Sequence, residues 1–468
     1  MVVRSTGRAI HHTSKAVHRL LLLGMGFLVV VACLLAGAAW RLAQGPIDLR
    51  WLSDRLQSAF IDDSARVRVS FDGVFLVWEG FHKGADYPLD VRLSDIVIAD
   101  RVGHGIVAAP SAHLTFSLAG LLLGRFVPRA LEVDHARIAV TRDAGGGVNL
   151  EGGPAASDGG SVELGRLREQ LSRPVSSDYG RSRGLLDQIH RVHFRNTAVT
   201  LRDQGSGLVV RTSDMDIYLV RAGTGQVMGS LRGPLQVGGQ EAGLAAEADW
   251  TIGSGVRLDV TLTSFRPSGV GALPPALAFV GGIDVPVSVT AHVGLDADFR
   301  PARVQADVRV GQGQIRVAQG SMPIRSGSIA LSGTPDAVTI TKGYFDLAHT
   351  SAGSPEIVDI AGTVAHKANR LSMSGSVGLS RIDIADLPRL WPLGVGGGAR
   401  PWVTEHVTAG MVTHGTVSFT VEADDALRDV VLTKATGDLD GTNATFTWID
   451  NVPPVAQTDV HLHLVDPD

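Results

Sequence analysis

Apolar residues at every second position, sustained over many short runs, are the feature that most restricts this chain. Val287, Val289, Ala291, Val293 and Leu295 alternate with Ser288, Thr290, His292, Gly294 and Asp296. Val304, Ala306, Val308 and Val310 alternate with Gln305, Asp307 and Arg309. Leu371, Met373, Gly375, Val377 and Leu379 alternate with serines and Gly378, and Val460, Leu462 and Leu464 with His461 and His463. Val256–Phe265 and Val417–Val421 behave alike. Successive side chains of a strand point to opposite faces, so each run is a strand with one apolar and one polar face. The 56 glycines and an aromatic content of only 5% suit many short strands joined by tight turns. Helical candidates are few: Ser117–Gly124, Val162–Leu171, Leu273–Val280 and Ile384–Trp391. One apolar face per strand leaves three solutions. It is buried in a sandwich, closed inside a barrel, or left as the wall of an open, curled trough that binds something apolar. Alternation alone does not choose among them.

The start of the chain sets its topology. Leu20 to Trp40 reads LLLLGMGFLVVVACLLAGAAW, without a charge. About 20 apolar residues cross a bilayer as a helix. Arg4, Arg8, Lys15 and Arg19 precede this segment with no acidic residue, so the N-terminus is expected in the cytoplasm and the body beyond the membrane. Ala36-Gly37-Ala38 resembles a signal-peptide cleavage site, but the apolar run is longer than the roughly 7–15 residues of a signal-peptide core. A retained single-pass anchor is the reading taken. Ile47–Phe60, IDLRWLSDRLQSAF, has apolar residues at helical spacing and reads as a short amphipathic helix capping the first sheet.

Gly152–Ser161, GGPAASDGGS, has no periodicity and reads as a linker. Ala130–Leu150 and Ile189–Val210 share a pattern: a strand, a small break, a second strand ending Arg-Asp, then a Gly-rich turn. Repeated β units suit an architecture that grows by addition. The chain divides into a basic stub (1–19), the apolar helix (20–40), a first β module (41–151), a linker with a short helix (152–183), and β segments over 184–280 and 281–468.

Signatures of chemistry are missing. There is no Gly-x-Ser-x-Gly elbow, no His-Glu-x-x-His and no Gly-Lys pair of a phosphate loop, so no catalytic residue and no cofactor is assigned. Gly145–Gly147 reads as a hairpin turn rather than a nucleotide cradle. The single cysteine, Cys33, lies in the apolar segment and excludes disulfides within the chain and Cys-based metal motifs. A net charge of −5 without a basic tract argues against nucleic acid as a partner. His461 and His463 share a strand face and could chelate a metal, but the polar side of an amphipathic strand explains them, and no metal is assigned. Asp62-Asp63 and Asp424-Asp425 read as turn or edge residues. Trp391 and Trp402, flanking the glycines of 394–398, read as packing anchors.

Two stretches carry a resemblance. Ser117–Leu150, SLAGLLLGRFVPRALEVDHARIAVTRDAGGGVNL, resembles the N-terminal module of the AsmA-like family, with Arg142, Asp143, Gly147 and Asn149 in the matching places. Leu387–Val412, LPRLWPLGVGGGARPWVTEHVTAGMV, is similar to a motif of that family's YhdP-type branch. Leu390, Trp391, Pro392, Gly398, Ala399, Arg400, Trp402, Glu405 and Gly410 match it, and His406 replaces a more usual Asn. Ala444–Val455, ATFTWIDNVPPV, is similar to the strand and Pro-Pro turn that follow. The resemblance implies a bridge-like lipid-transfer protein, mainly β. Its N-terminal transmembrane helix would be followed by an elongated, curled, taco-like antiparallel sheet with a few short helices. It implies a bacterial inner-membrane anchor, a periplasmic body, phospholipids as cargo, outer-membrane components as partners, and support of the outer-membrane barrier. Members of that branch are longer, which implies that these 468 residues are part of such a groove. The candidate lipid-facing residues are Val287, Val289, Val293, Leu295, Val304, Val308, Val310, Leu371, Val377 and Leu379. The alternative is an envelope-assembly scaffold or chaperone whose sheet edges pair with client strands of outer-membrane proteins, or that serves polysaccharides.

Overall fold

The alternation is realised as strands throughout a computed structural model of the chain. It describes residues 67–78, 89–100, 105–117, 127–143, 148–151, 162–163, 188–205, 207–222, 225–270, 281–297, 299–317, 320–347, 356–367, 370–391, 399–424, 431–449 and 452–465, with residues 25, 37, 40, 41, 45, 47–49 and 120. In chain order the strands are β1 (Ile47–Asp48), β2 (Val67–Ser70), β3 (Gly73–Trp78), β4 (Leu89–Asp100), β5 (Gly105–Phe116), β6 (Pro128–Asp134), β7 (Arg137–Arg142), β8 (Val148–Glu151) and β9 (Val162–Glu163). Then come β10 (Arg191–Asp203), β11 (Val209–Ala222), β12 (Gln226–Val237), β13 (Gln240–Thr251), β14 (Gly255–Phe265), β15 (Ile283–Asp284), β16 (Val287–Leu295), β17 (Pro301–Val310) and β18 (Gly313–Val317). Last are β19 (Gly320–Thr334), β20 (Ala337–Leu347), β21 (Glu356–Lys367), β22 (Arg370–Ser380), β23 (Ile382–Asp383), β24 (Val407–Asp424), β25 (Val431–Phe446) and β26 (Val455–Leu464). All belong to one hydrogen-bonded sheet. Two short helices, α1 (Leu387–Leu390) and α2 (Ala399–His406), interrupt it.

Neighbours in sequence are mostly neighbours in the sheet and antiparallel. The exception is instructive. β6 and β7 lie end to end and pair in parallel with β10, Arg191 opposite Ala130 and Asp203 opposite Arg142. These are the two repeated units found in the sequence. A hairpin would force antiparallel pairing, but the long connection between them permits a parallel crossover. The two units therefore sit side by side in the same orientation.

A line of irregularities crosses the sheet. Asp95, His135, Asn196, Ser264 and Arg381 take a left-handed backbone conformation inside or between strands, with φ of 51°, 55°, 49°, 59° and 56°. Asp, Asn and His tolerate this region best among residues with a side chain. At Asn196 and Ser264 the register with the following strand shifts, as at a bulge that bends the strand and increases its twist, whereas across Asp95, His135 and Arg381 the register is kept. The pairing continues through the break: the His135 N–H donates to the Arg195 carbonyl at 2.9 Å, and the Ala198 N–H to the Ala136 carbonyl at 2.8 Å. The fully buried side chains flank this crease, among them Val74, Thr197, Val285, Ile324 and Ile382. The core is thus a seam along the bends, not a slab between two sheets.

Several local expectations change or fall outside the described residues. Ile47–Asp48 is strand β1, not the start of a helix, because Ile47 pairs with Leu76 of β3 and the Leu49 N–H bonds the Val74 carbonyl. The rest of the stretch to Phe60 lies outside the described residues. Val162–Glu163 is strand β9, paired with β8, where a helix was expected; the remainder of that stretch to Leu171 is likewise outside, as are Leu273–Val280, Gly152–Ser161, the glycines of 145–147 and Asp62-Asp63. β7 and β8 are antiparallel, with Arg142 opposite Val148. Of Ser117–Gly124 only Ser117 and Gly120 are described, and Gly120 is helical. Ile384–Trp391 is helical as expected, a single 3₁₀ turn (Ile384–Asp386) leading into α1. Nearly all of Leu20–Trp40 lies outside the described residues. Among those described, no helix is long and apolar enough to cross a membrane.

Candidate apolar face

Directly opposed residues in a sheet share a face, so the register traces each face across the strands. From Val74 the partners run Leu93, Ala112, Val133, Phe194, Ile217, Leu231 and Ala246. They continue through Val260, Ala291, Ala306, Leu331, Ile340, Gly362, Gly375 and Phe419 to Ala435. Every rung from β3 to β25 is apolar or glycine. A second row runs Leu244, Leu262, Val289, Val308, Ile329, Gly343, Ile360, Val377, Val417, Gly437 and Leu464. A third passes through Val293 and Val304, and a fourth through Val287, Val310, Val358 and Leu379. Leu295 lies opposite Val256, and Leu371 opposite Ala423. All ten residues singled out from the sequence therefore stand on one connected apolar face.

The other face is polar over the same span. Glu247, Asp259, His292, Gln305, Ser332, Thr339, Thr363, Ser374, Thr420 and Lys434 form one row of it. The Thr339 and Thr363 hydroxyls bond each other at 3.1 Å. A sheet with one such face must cover the apolar side or offer it to something apolar. Here the apolar residues away from the crease, such as Leu258, Val293, Val304, Val338 and Val364, are only half-buried. Among the described residues no second sheet lies against them.

The helices cover part of this face. Leu387, Trp391 and Val403 join the buried cluster of Ile324, Leu347, Ile382 and Val412 at the crease. Asp383 caps the 3₁₀ turn by accepting from the Ala385 N–H at 2.9 Å. The Arg400 guanidinium donates to the carbonyls of Trp391 (3.1 Å) and Pro388 (3.2 Å), tying α2 to the end of α1. This is what the arginine of the motif does, and only a planar, forked donor reaches both oxygens. Trp391 is buried in this cluster, whereas Trp402 is 38% exposed and packs against the rings of His406, Phe446 and Trp448. Leu390 is half-buried, Glu405 is exposed, and Pro392 lies outside the described residues. Arg400→Lys and Arg400→Ala are both expected to destabilise the helical pair by about 1–3 kcal/mol, since a charged donor to buried carbonyls is lost or halved. Hydrogen exchange of residues 387–406 measures this, and a lysine variant as protected as the parent would remove the two-oxygen role.

His461 and His463 face Asp440 and Asp438 across β25–β26, at 2.7 Å and 2.6 Å. The Asp440 hydrogen bond holds the His461 pKa above its ordinary value. The pairs stand on the polar face as cross-strand hydrogen bonds, and no metal-binding group of three is present among the described residues.

Sequence reading missed the first half of the apolar face. In β4, Val91 and Leu93 are buried in alternation, but Asp95, in the left-handed conformation, shifts the phase to Ile96. His135 and Asn196 do the same between Val133 and Ile138 and between Phe194 and Val199. A period-2 pattern with one-residue slips is the signal that would have found it. Comparison with protein-family models, with curated proteins and with solved structures finds no match to this chain.

Proposed function

We propose that this chain is an AsmA-like protein of the YhdP-type branch, anchored in the inner membrane through residues 20–40. Its periplasmic body is an elongated, curled groove that conducts phospholipids toward the outer membrane. The observation that carries the reading is the unbroken apolar row from Val74 to Ala435, flanked by parallel rows, most of whose residues between Phe194 and Phe419 are only half-buried. Burying acyl methylenes against such a wall contributes about 0.8 kcal/mol each. Because every rung is apolar or glycine, an acyl chain can slide without a polar barrier while its head group stays in water. No bond is made or broken, so no catalytic residue is required.

The test is lipid capture by the full chain, purified with its membrane segment in nanodiscs. Photo-crosslinking residues are placed at Val289, Val308 and Val377, and for comparison at Thr290, Arg309 and Thr363 on the polar face. Mass spectrometry should find phospholipid adducts at the first three and none at the others. Equal adducts on both faces, or none on the apolar one, would refute lipid conduction. Polypeptide adducts along β26 without lipid would favour the scaffold that pairs with client strands.

A further inference from the structure

The apolar face carries charge along one border. Leu131, Val192 and Leu219 are opposed on β6, β10 and β11 and belong to the apolar rows. Two residues farther out, the same three segments place Arg129, His190 and Arg221. The His190 N–H donates to the Arg129 carbonyl at 2.8 Å and the Arg221 N–H to the His190 carbonyl at 2.7 Å, so the three form one rung. From Arg221 this rung continues through Val227, Trp250 and Val256 to Leu295, all apolar. Packing of the border therefore needs no charge, and taking a guanidinium out of water is costly. Yet Arg221 is only 7% exposed.

The cluster is held in a fixed arrangement. The His190 Nδ1–H donates to the Gln188 carbonyl at 2.9 Å. Arg129 Nη1 lies 3.2 Å from His190 Nε2 and 3.3 Å from Nδ1, so the guanidinium rests against the ring. Burial pushes the His190 pKa below its ordinary value, and the charges of Arg129 and Arg221 push the same way, against the Gln188 hydrogen bond. The result is a neutral imidazole between two cations. Arg129 and His190 are only half-buried, so a ligand can reach them.

We infer that Arg129 and Arg221, with His190 between them, bind the phosphate of an amphiphile whose acyl chain lies on the apolar face. Arginine suits a phosphate because its planar fork donates two parallel hydrogen bonds. The two arginines flank β10, about 10 Å apart at the backbone by strand spacing, and their side chains can close on one anion from both sides. The rung of Leu131, Val192 and Leu219 lies roughly 7 Å inward, two residues along the strands, where the first acyl methylenes of such a molecule fall. All three are half-buried and leave a surface for them. For the acyl chain this site rests on the lipid reading of the face. The wall holds any acyl chain, whereas this rung selects one that ends in a phosphate.

The experiment uses the full chain in a maltoside detergent and phosphate-free buffer, with a photo-crosslinking residue at Leu219 or, separately, at Val308. Phosphatidic acid and diacylglycerol with the same acyl chains are compared, and adducts are counted by mass spectrometry. At Leu219 phosphatidic acid should label at least about tenfold better than diacylglycerol, the factor that one charge-assisted hydrogen bond supplies. Arg129→Gln should abolish that preference and leave adducts at Val308 as in the parent. Arg129 is half-buried, and circular dichroism checks that the sheet is retained. Equal labelling of Leu219 by the two lipids, or none, overturns the inference, as does an undiminished preference in Arg129→Gln. Inorganic phosphate is the other source of the same chemistry. If it shields residues 188–192 and 219–222 from hydrogen exchange while both lipids label Leu219 equally, the site takes free phosphate and the amphiphile is dismissed. Absence of adducts at Val308 with the preference at Leu219 intact would remove the lipid track and leave the phosphate site standing.

Discussion

Aspartate placed together at Val289, Val308 and Val377 is expected to abolish passage of phospholipid along the sheet while leaving it folded. The three positions share one row of the apolar face, and Val289 and Val308 are directly opposed. All are half-buried, so the new carboxylates keep access to water and can stay ionised without unfolding the strands. For an acyl chain the situation is different. Passing the charges means lifting about five methylenes off the wall, on the order of 4 kcal/mol, or roughly a thousandfold in rate. Thr290, Arg309 and Ser376 lie on the polar face, and aspartates there should change transfer little. The measurement is transfer of labelled phospholipid between donor and acceptor vesicles, with sheet content followed by circular dichroism. Unimpaired transfer by the triple variant would dismiss this face as the track.

The second large effect separates the crease from the wall. Ile324 is fully buried at the crease, whereas Ile340 stands half-buried on the apolar row. Ile324→Ala removes the same atoms as Ile340→Ala but leaves a cavity in a packed seam, so a loss of about 2–5 kcal/mol is expected. At Ile340 about half of the transfer term applies and no enclosed cavity forms, so the loss should stay near 1 kcal/mol. Shifts of the urea midpoint for the full chain report both. If Ile340→Ala proved as costly as Ile324→Ala, the wall would be a sealed core, and the open-groove reading would fall with it.

Val287–Leu295, Val304–Val310, Leu371–Leu379 and Val460–Leu464 were legible as strands because strong alternation over five or more residues has one local solution. The helix at Ile384–Trp391 was legible as well, and the repeat around Arg142 and Arg202 pointed to two like units. Other elements were not. Ile47–Asp48 has helical spacing but finds a strand partner in β3, and tertiary pairing outweighs a weak local pattern. Helix α2 was hidden because its eight residues are too few to show a helical apolar period, and its place is held by the Arg400 contacts with α1.

What the amino-acid order by itself determined is the two-faced character of the strands, since side-chain direction follows from backbone geometry alone. Which strand lies beside which was settled only by the tertiary structure, because pairing depends on partners far away in the chain. The parallel junction of β6 and β7 with β10, the crease of left-handed residues and the continuous apolar rows all belong to that level. So does the exposure of Trp448, which is apolar wherever it stands; only the packed arrangement of α2, β24 and β25 left it facing solvent.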